Sequence, residues 1–546
     1  MRLACAGFLM AVSAAAVPLS ARAGDAAGYD WRGAYVGVHT GGALGLVDVE
    51  DPFGGSIFGD TVRTPGMLAG GQAGYNWQSG ATVFGLEADA SWADMDGTNT
   101  CFAFSGFYIS SNCRTHIDAL GTVTGRLGWM LPADARTLVY GKAGLAWQHY
   151  QVDATANGGF GLGQTATSGF KVGWTLGAGL ERAISRSWSL RGEYDFLSFG
   201  DESFSAPASQ IQAGGAMTSL AGRGTDIAQD VHQIKLGVNY RPGADASRQE
   251  LDAAFMPGGP AAAAPAWKLE AGVRYVHGWG QFHKDLGLQG MGVTGLASRL
   301  TYDASSSNGA EAFARLDTPF DVMVKGVLGG GTGTGSMNDE DWGLPSPPFP
   351  AFVPYSNTLS SVDEDIRYGI VDVGYTWWRG AHHTLTPFVG YSYFQQYMRA
   401  YGCAQIANPN SDCVTVIPTS TLGITEYDTW QALRLGAAFE FALAPRLDLA
   451  AEAAYLPYVD FEGTDNHVLR ALISPEDGRG VGVQLEAMLT YSLTDALSVG
   501  VGGRYWSMWT TSGTVNFGGT GTYIPMRYAA EQAHLLVQGS YTFDAE

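Results

Sequence analysis

The sequence predicts an all-β protein in which two transmembrane antiparallel β-barrels, of eight and then ten strands, follow one another in one chain. Glycine contributes 76 of the 546 residues, aromatic residues make up 12%, and charged residues make up only 15%. This composition is typical of membrane strands rather than of soluble domains. Apolar or small residues also alternate with polar ones at the period of a β-strand. No segment after the first residues offers roughly 18 uninterrupted apolar residues, so strands in closed barrels are expected to cross the membrane.

The first barrel is predicted from eight alternating segments that are joined by turns of hairpin length, such as QSG at 78–80. Eight strands are enough to close a small barrel, and an even number leaves both ends on the periplasmic side. The segments are 34–45, 66–77, 81–95, 116–131, 137–152, 168–183, 187–200 and 230–241.

The second barrel is predicted from ten segments whose connections alternate between short and long. One short rim and one long rim are typical of outer-membrane barrels. The alternative, a soluble all-β periplasmic protein, would have short loops and a dry core. The segments are 267–285, 295–317, 320–335, 364–379, 384–402, 425–443, 447–463, 478–494, 497–514 and 529–543, and the long connections are 336–363, 403–424, 464–477 and 515–528.

The first residues, MRLACAGFLMAVSAAAVPLSARA, predict a signal peptide over 1–23. Arg2 precedes an apolar run, and Ala21-Arg22-Ala23 forms an A-x-A cleavage site. A membrane anchor is the alternative, but the run is short and contains Pro18. Residues 24–241 then form the first barrel, 242–265 an Ala/Pro-rich linker, and 266–546 the second barrel.

The chain is strongly acidic, with a formal net charge of −21. The predicted signal carries two arginines and no acids, so its removal takes the charge from −21 to −23. No basic stripe is available to replace the counterions of a phosphate backbone, so nucleic acid is not an expected partner. An acidic surface instead favours cationic substrates or divalent ions.

Four cysteines of the exported chain form two close pairs, Cys101 with Cys113 and Cys403 with Cys413. Both pairs lie in polar, turn-rich segments. In an exported protein this pattern predicts two local disulfides. A metal site is the weaker interpretation, because His116 is the one histidine close to either pair in the sequence.

Two short acidic stretches are candidates for chemistry. SMNDEDW (336–342) is predicted to follow the third strand of the second barrel, and TDNH (464–467) the seventh, on the same long-loop rim. Asp339 and Asp341 are two positions apart, as are Asp465 and His467, so each pair shares a face of extended chain. A carboxylate fixes the tautomer of an imidazole, which then acts as general base on a water, and two neighbouring carboxylates resist double ionisation.

These residues also carry a family resemblance. Residues 266–543 resemble the omptins, ten-stranded outer-membrane endoproteases, through Asp339-Glu340-Asp341-Trp342, Asp465-Asn466-His467 and Ser298-Arg299-Leu300-Thr301-Tyr302. The resemblance implies that His467 is oriented by Asp465 and faces Asp339 and Asp341 across an extracellular cleft. It also implies cleavage of peptide or protein substrates by activated water without a metal cofactor, and a requirement for lipopolysaccharide.

Two details depart from the family pattern. Gly463 stands where omptins carry an acid that lines the pocket for basic substrate residues, so the resemblance does not extend to a specificity for Arg or Lys. Asp465 and His467 also share parity with residues of the seventh strand that should face lipid, such as Leu449 and Phe461. A bulge at Gly463 or a kink at Pro457 would turn them inward.

The first barrel, about 29–241, resembles small eight-stranded outer-membrane barrels of alphaproteobacteria. The resemblance rests on residues 30–37, DWRGAYVG, and 232–240, HQIKLGVNY. It implies a structural or antigenic role without catalysis. For the whole chain the sequence predicts an outer-membrane protein with an omptin-like surface endoprotease, and two alternatives stay open: a structural or adhesive surface protein, and a narrow pore.

Overall fold

A computed structural model describes residues 29–544, except 55–57, 105–108, 132–135, 157–162, 214–215, 243–266, 289–291, 342–355, 381–382, 409–410, 412 and 445. The predicted signal peptide and all of the predicted linker beyond Pro242 therefore lie outside the described residues. Within the described ranges, no helix has the length and apolar content needed to cross a membrane.

The N-terminal half forms the predicted eight-stranded closed barrel. Its long strands pair antiparallel in the cyclic order β1-β10-β7-β6-β5-β4-β3-β2, and the short strands β8 and β9 form a separate hairpin that was not predicted. The strands are β1 (Gly33–Val49), β2 (Thr61–Ser79), β3 (Thr82–Phe104), β4 (Ile109–Met130), β5 (Thr137–Ala156), β6 (Gln164–Ala183), β7 (Trp188–Ser205), β8 (Ser209–Ala213), β9 (Ala216–Leu220) and β10 (Gly224–Tyr240).

Buried ion pairs fill the lumen of this barrel. Lys142 Nζ lies 2.7 Å from Glu193 Oε1, and Arg126 Nη2 lies 2.6 Å from Glu181 Oε2. Because each charge lies close to an opposite charge, the network tolerates burial. Its members, all buried, are Glu87, Asp89, Glu181, Glu193 and Asp195 with Arg126, Lys142, Arg191, Lys235 and Arg241.

The C-terminal half closes into a second antiparallel barrel of ten long strands. The sheet runs β14-β13-β12-β11-β21-β20-β19-β18-β17-β16, and pairing between β14 and β16 closes it, with the short β15 alongside β16. The strands are β11 (Lys268–Leu288), β12 (Gly292–Asp317), β13 (Val322–Asp341), β14 (Ser356–Tyr375), β15 (Trp378–Gly380), β16 (His383–Gln405), β17 (Ile417–Ala444), β18 (Leu447–His467), β19 (Leu472–Ser492), β20 (Leu497–Asn516) and β21 (Tyr523–Asp544).

Most of the predicted long connections of this barrel are in fact strand. The segment 464–477 was predicted as a loop, but β18 extends to His467 and β19 begins at Leu472, so the two strands are joined by four residues. Asp339 and Asp341 likewise lie within β13 and not after it. These segments were predicted as loops because their sequences are polar. A strand that extends above the bilayer does not contact lipid, so it needs no apolar face. A crossing needs about 9–11 residues, whereas β18 has 21.

A bulge in β18 turns the candidate site inward. The pairing of β18 with β19 shifts register between Leu456 and Val459, which brackets Pro457. Below the bulge, Tyr455 is exposed on the outer wall; above it, Phe461 is 1% exposed and faces the lumen. Of the two positions considered, Pro457 and not Gly463 carries the irregularity. The extra residue reverses the alternation, so Asp465 points into the barrel.

Two disulfides close the predicted loops. Cys101 bonds Cys113, and Cys403 bonds Cys413. Both predictions are confirmed. The second disulfide lies beside the cavity described below.

Candidate active site

One cavity brings the two predicted acidic stretches together. Asp339 and Asp341 face the lumen near the end of β13, where Leu300 and Ser298 of β12 are their register partners. Their side chains and that of His467 line a cavity of about 90 Å³ at the outer end of the barrel. A water needs roughly 10–15 Å³ of such space, so several waters fit between the two walls.

The predicted Asp/His dyad is present on the opposite wall. Nε2 of His467 lies 3.2 Å from Oδ2 of Asp465, within hydrogen-bonding distance. His467 ends β18, and a single 3₁₀ turn, Val468–Arg470, follows directly. This turn brings Leu469 and Arg470 to the edge of the cavity. The imidazole is therefore held at the wall by Asp465 and remains open to the cavity.

The environment of the cleft lowers the pKa of Asp465 and raises the pKa values of His467 and Asp339. Burial alone would raise the pKa of Asp465, but Lys284 and His467 outweigh burial and lower it to about 2. Burial likewise opposes protonation of His467, but its hydrogen bond to Asp465 and the charges of Asp465 and Asp339 raise its pKa. Burial and the neighbouring Asp341 raise the pKa of Asp339 to about 8. At neutral pH, Asp465 is ionised while Asp339 keeps its proton.

A buried cluster below the dyad was missed at the sequence level. Lys284 Nζ lies 3.1 Å from Asp465 Oδ2 and 3.0 Å from Glu476 Oε1, and it also contacts Glu426. Asp428, on the same face of β17 as Glu426, is fully buried beside them. Glu426 and Asp428 are two apart in the sequence EYD, the same signal that identified the other pairs. Glu476 fell in a predicted loop, and Lys284 was one lysine in an unremarkable strand.

This cluster already contains its cation. Oxygens of Glu426, Asp465 and Glu476 lie within 4.8 Å of one another, close enough to surround a metal ion. The Lys284 ammonium contacts all three carboxylates. An ammonium at this point supplies the positive charge that a divalent ion would otherwise bring.

Gly463 lies among the carboxylates of this cluster. Gly463 faces the lumen, and a Cβ built on it would lie 2.9 Å from Oδ1 of Asp428 and 3.0 Å from Oε2 of Glu476. The carboxylates of β17 and β19 thus occupy the space that a side chain at 463 would need. Glu462 has the opposite parity and is exposed. The acidic character of this pocket is supplied by neighbouring strands.

Aromatic side chains form a floor under the cluster. Phe461 stacks on Tyr528 with ring centroids 4.2 Å apart and packs against Trp430 at 4.5 Å. Trp430 is 0% exposed. This layer separates the cleft from the lower lumen and lowers the local dielectric, which strengthens the charge interactions above it. Trp342, the last residue of the Asp-x-Asp-Trp motif, lies outside the described residues.

Comparison with known proteins agrees with the two-part architecture. The family model "Outer membrane protein beta-barrel domain" matches residues 6–241. The model "Omptin family" matches residues 310–526, a span that includes Asp339, Asp341, Asp465 and His467.

The individual curated relatives match only part of the chain. The 31 kDa outer-membrane immunogenic protein of Brucella melitensis is 30% identical over 229 residues, which cover 39% of this chain and 84% of that protein. A 22 kDa outer membrane protein of Rhizobium leguminosarum is 27% identical, covering 38% and 79%. Among solved structures, the outer membrane protease OmpT from Escherichia coli is 13% identical with a TM-score of 0.43, covering 53% of this chain and 98% of that one.

Proposed function

We propose that this outer-membrane protein, whose N-terminal half belongs to the outer membrane protein β-barrel family and whose residues 310–526 match the omptin family model, is a surface endoprotease. The single observation that carries the proposal is the shared cavity, in which Asp339 and Asp341 face His467. Neither the Asp339/Asp341 pair nor the Asp465/His467 pair alone would justify the proposal, because acidic strand ends are common on protein surfaces.

The proposed reaction is attack of a cavity water on a peptide carbonyl. Neutral His467 accepts a proton from the water as its oxygen bonds to the carbonyl carbon, and ionised Asp465 stabilises the imidazolium that forms. The Asp339–Asp341 pair shares one proton, and its ionised member accepts a hydrogen bond from the water and orients it. The imidazolium then gives its proton to the leaving amine nitrogen as the C–N bond breaks.

The substrate is a peptide segment presented at the cell surface, and lipopolysaccharide is the expected activator. Because Lys284 neutralises part of the acidic pocket below the dyad, we expect weaker selection for basic residues than an uncompensated acidic pocket would give. Peptides with neutral residues beside the scissile bond should therefore be cleaved as well.

The second candidate is a structural or adhesive surface protein without turnover. It is favoured by the N-terminal half, whose relatives are named immunogenic outer-membrane proteins. The third possibility, a narrow pore, is disfavoured because buried charges fill the lumen of the first barrel.

The test is cleavage of a mixed peptide library by the refolded full chain with lipopolysaccharide, read by mass spectrometry. Asp339→Asn and Asp341→Asn should each abolish cleavage. The matched control is Asp365→Asn, which removes a half-exposed acid paired with Arg399 at 2.8 Å on the same barrel, and it should cleave normally. Absence of cleavage by the wild type, or equal cleavage by all variants, would leave the structural role as the better account.

A further inference from the structure

The outer wall of the C-terminal barrel carries buried polar side chains where a barrel wall should be exposed. Asp285, Arg299 and Glu340 alternate with lumen-facing Lys284, Leu300 and Asp341, so they point outward. Yet their exposed fractions are 1%, 1% and 0%. They lie at the outer ends of β11, β12 and β13, above the membrane-crossing part. Something covers this face.

The N-terminal barrel covers this face of the C-terminal barrel. Arg299 donates from Nη1 to Thr100 Oγ1 at 3.0 Å and from Nη2 to Asn112 Oδ1 at 2.8 Å. Thr100 in turn donates to Glu340 Oε2 at 2.5 Å. Thr100 is 0% exposed and lies at the outer end of β3. Bonds to charged partners are the stronger class of hydrogen bond.

A second contact extends the same line of residues. Nε of Arg63, on the outer face of β2, lies 3.0 Å from Oε2 of Glu531 on β21. The two walls also approach at a position without polar side chains, where a Cβ on Gly42 of β1 would lie 3.4 Å from Leu485 of β19. The polar contacts at the outer rim and this apolar approach both join the wall of the N-terminal barrel to the wall of the C-terminal barrel.

We propose that the N-terminal barrel docks laterally on the C-terminal barrel through a rim seam, formed by Arg63, Thr100 and Asn112 against Arg299, Glu340 and Glu531, and that this docking does not depend on the linker. The seam also reaches the candidate active site. Glu340 lies between Asp339 and Asp341 on β13, so a bond on the outer face of this strand fixes the two carboxylates on its inner face. Thr100 and Arg299 are thus positioning residues for the acid pair; this second role, unlike the docking, rests on the proposed function.

The docking is tested by cutting the linker of the intact protein. A site-specific protease sequence is inserted within 242–265, a tag is placed at the exported N-terminus, and the full chain is cut after purification in mild detergent. The tagged N-terminal barrel should retain the C-terminal barrel. The double variant Thr100→Val/Arg299→Ala should lower the retained fraction by about tenfold or more, because bonds to charged groups are lost. Heat-dependent gel mobility of each fragment verifies that both barrels remain folded.

Arg399→Ala is the matched control, since it removes an outward-facing arginine of the same barrel, paired with Asp365, outside the seam. It should retain the C-terminal barrel as the wild type does. Separation of the folded wild-type fragments, or full retention by the folded double variant, would overturn the docking. Cleavage rates are read on the same samples. A docked protein without peptidase activity in any form removes the proposed function and the positioning role but leaves the docking in place, whereas unchanged cleavage in the undocked variant removes the positioning role alone.

Discussion

The lumen of the N-terminal barrel and the outer cleft of the C-terminal barrel both bury ionisable side chains, but in different proportions. In the first lumen, five carboxylates meet five cations, and each charge has an opposite partner. In the cleft, six acids meet one lysine, one histidine and one arginine at the edge of the cavity: Asp339, Asp341, Glu426, Asp428, Asp465 and Glu476 with Lys284, His467 and Arg470. The lower lumen of the second barrel resembles the first lumen, with four acids and four cations: Glu311, Asp372, Glu452 and Glu486 with Arg274, Lys325, Arg434 and Arg504.

The difference separates structural charge from reactive charge. In a balanced network each buried charge is compensated by an opposite one, and removal of one partner leaves an uncompensated charge. An excess of acid around one imidazole keeps protons in the cleft and raises the pKa of His467 and Asp339. The same residue types therefore fill the lumen of one barrel and, under the proposed function, carry out proton transfer in the other.

The sharpest contrast is expected from His467→Ala. Loss of the general base should lower kcat/KM for peptide cleavage by about 10³-fold or more, while the urea midpoint of the barrel changes little. The rates are measured with lipopolysaccharide against the Asp365→Asn control. A variant that cleaves normally would place the cleft in the same structural class as the N-terminal lumen.

Lys142→Met should have the opposite effect, with a loss of stability and no loss of activity. The ammonium of Lys142 lies 2.7 Å from Glu193 and 3.2 Å from Asp195 in the lumen of the N-terminal barrel. Its removal leaves buried carboxylates without their cation and should cost about 3–5 kcal/mol of unfolding free energy. Heat- and urea-dependent gel mobility measures this loss. Cleavage at temperatures where the variant stays folded should match the wild type; a stable variant would show that the network is dispensable.

The pH dependence of cleavage should follow the cleft alone. Activity requires neutral His467, whose pKa is raised, so the rate should climb with pH through a midpoint above its usual value of about 6.5. It should fall again near pH 8 as Asp339 loses its proton. Because these groups are coupled, the two limbs belong to the cleft as a unit. A plateau that continues to high pH would show that no shared proton is needed.

Asp339→Asn should stabilise the fold while it removes activity. The pKa of Asp339 is raised from 3.8 to about 8, so the unfolded chain releases this proton first and stability declines between these pH values. The amide cannot ionise, and above pH 8 the variant should gain about 1 kcal/mol in unfolding free energy. Urea titrations at pH 5 and pH 9 measure the difference, which should be smaller at the lower pH; a loss at pH 9 would contradict it.

The sequence allowed prediction of the two barrels, both disulfides and all four residues proposed for the reaction. Alternation identified the membrane-crossing parts of the strands, because lipid demands apolar side chains there. It failed above the membrane, where β13 and β18 continue with polar residues on both faces. For the same reason Glu476 was assigned to a loop. Asp465 points inward because of the bulge at Pro457. From the alternation of the sequence, the position of this irregularity could be predicted only as either Pro457 or Gly463.

The contact between the barrels could not be predicted. Arg299 and Glu340 appeared as ordinary polar residues in strand sequence, and nothing local indicates that Thr100, some 200 positions earlier, bonds to both. The acid cluster around Lys284 was missed for a related reason, since its members come from four strands that only the closed barrel brings together.

The most direct test of the account is a double-mutant cycle on kcat/KM with Asp339→Asn and His467→Ala. If the two walls act on one water, the double variant should cleave no more slowly than the slower single variant, because either change alone already disables the unit. Losses that simply multiply, each independent of the other, would contradict the claim that these groups converge on a single reacting molecule.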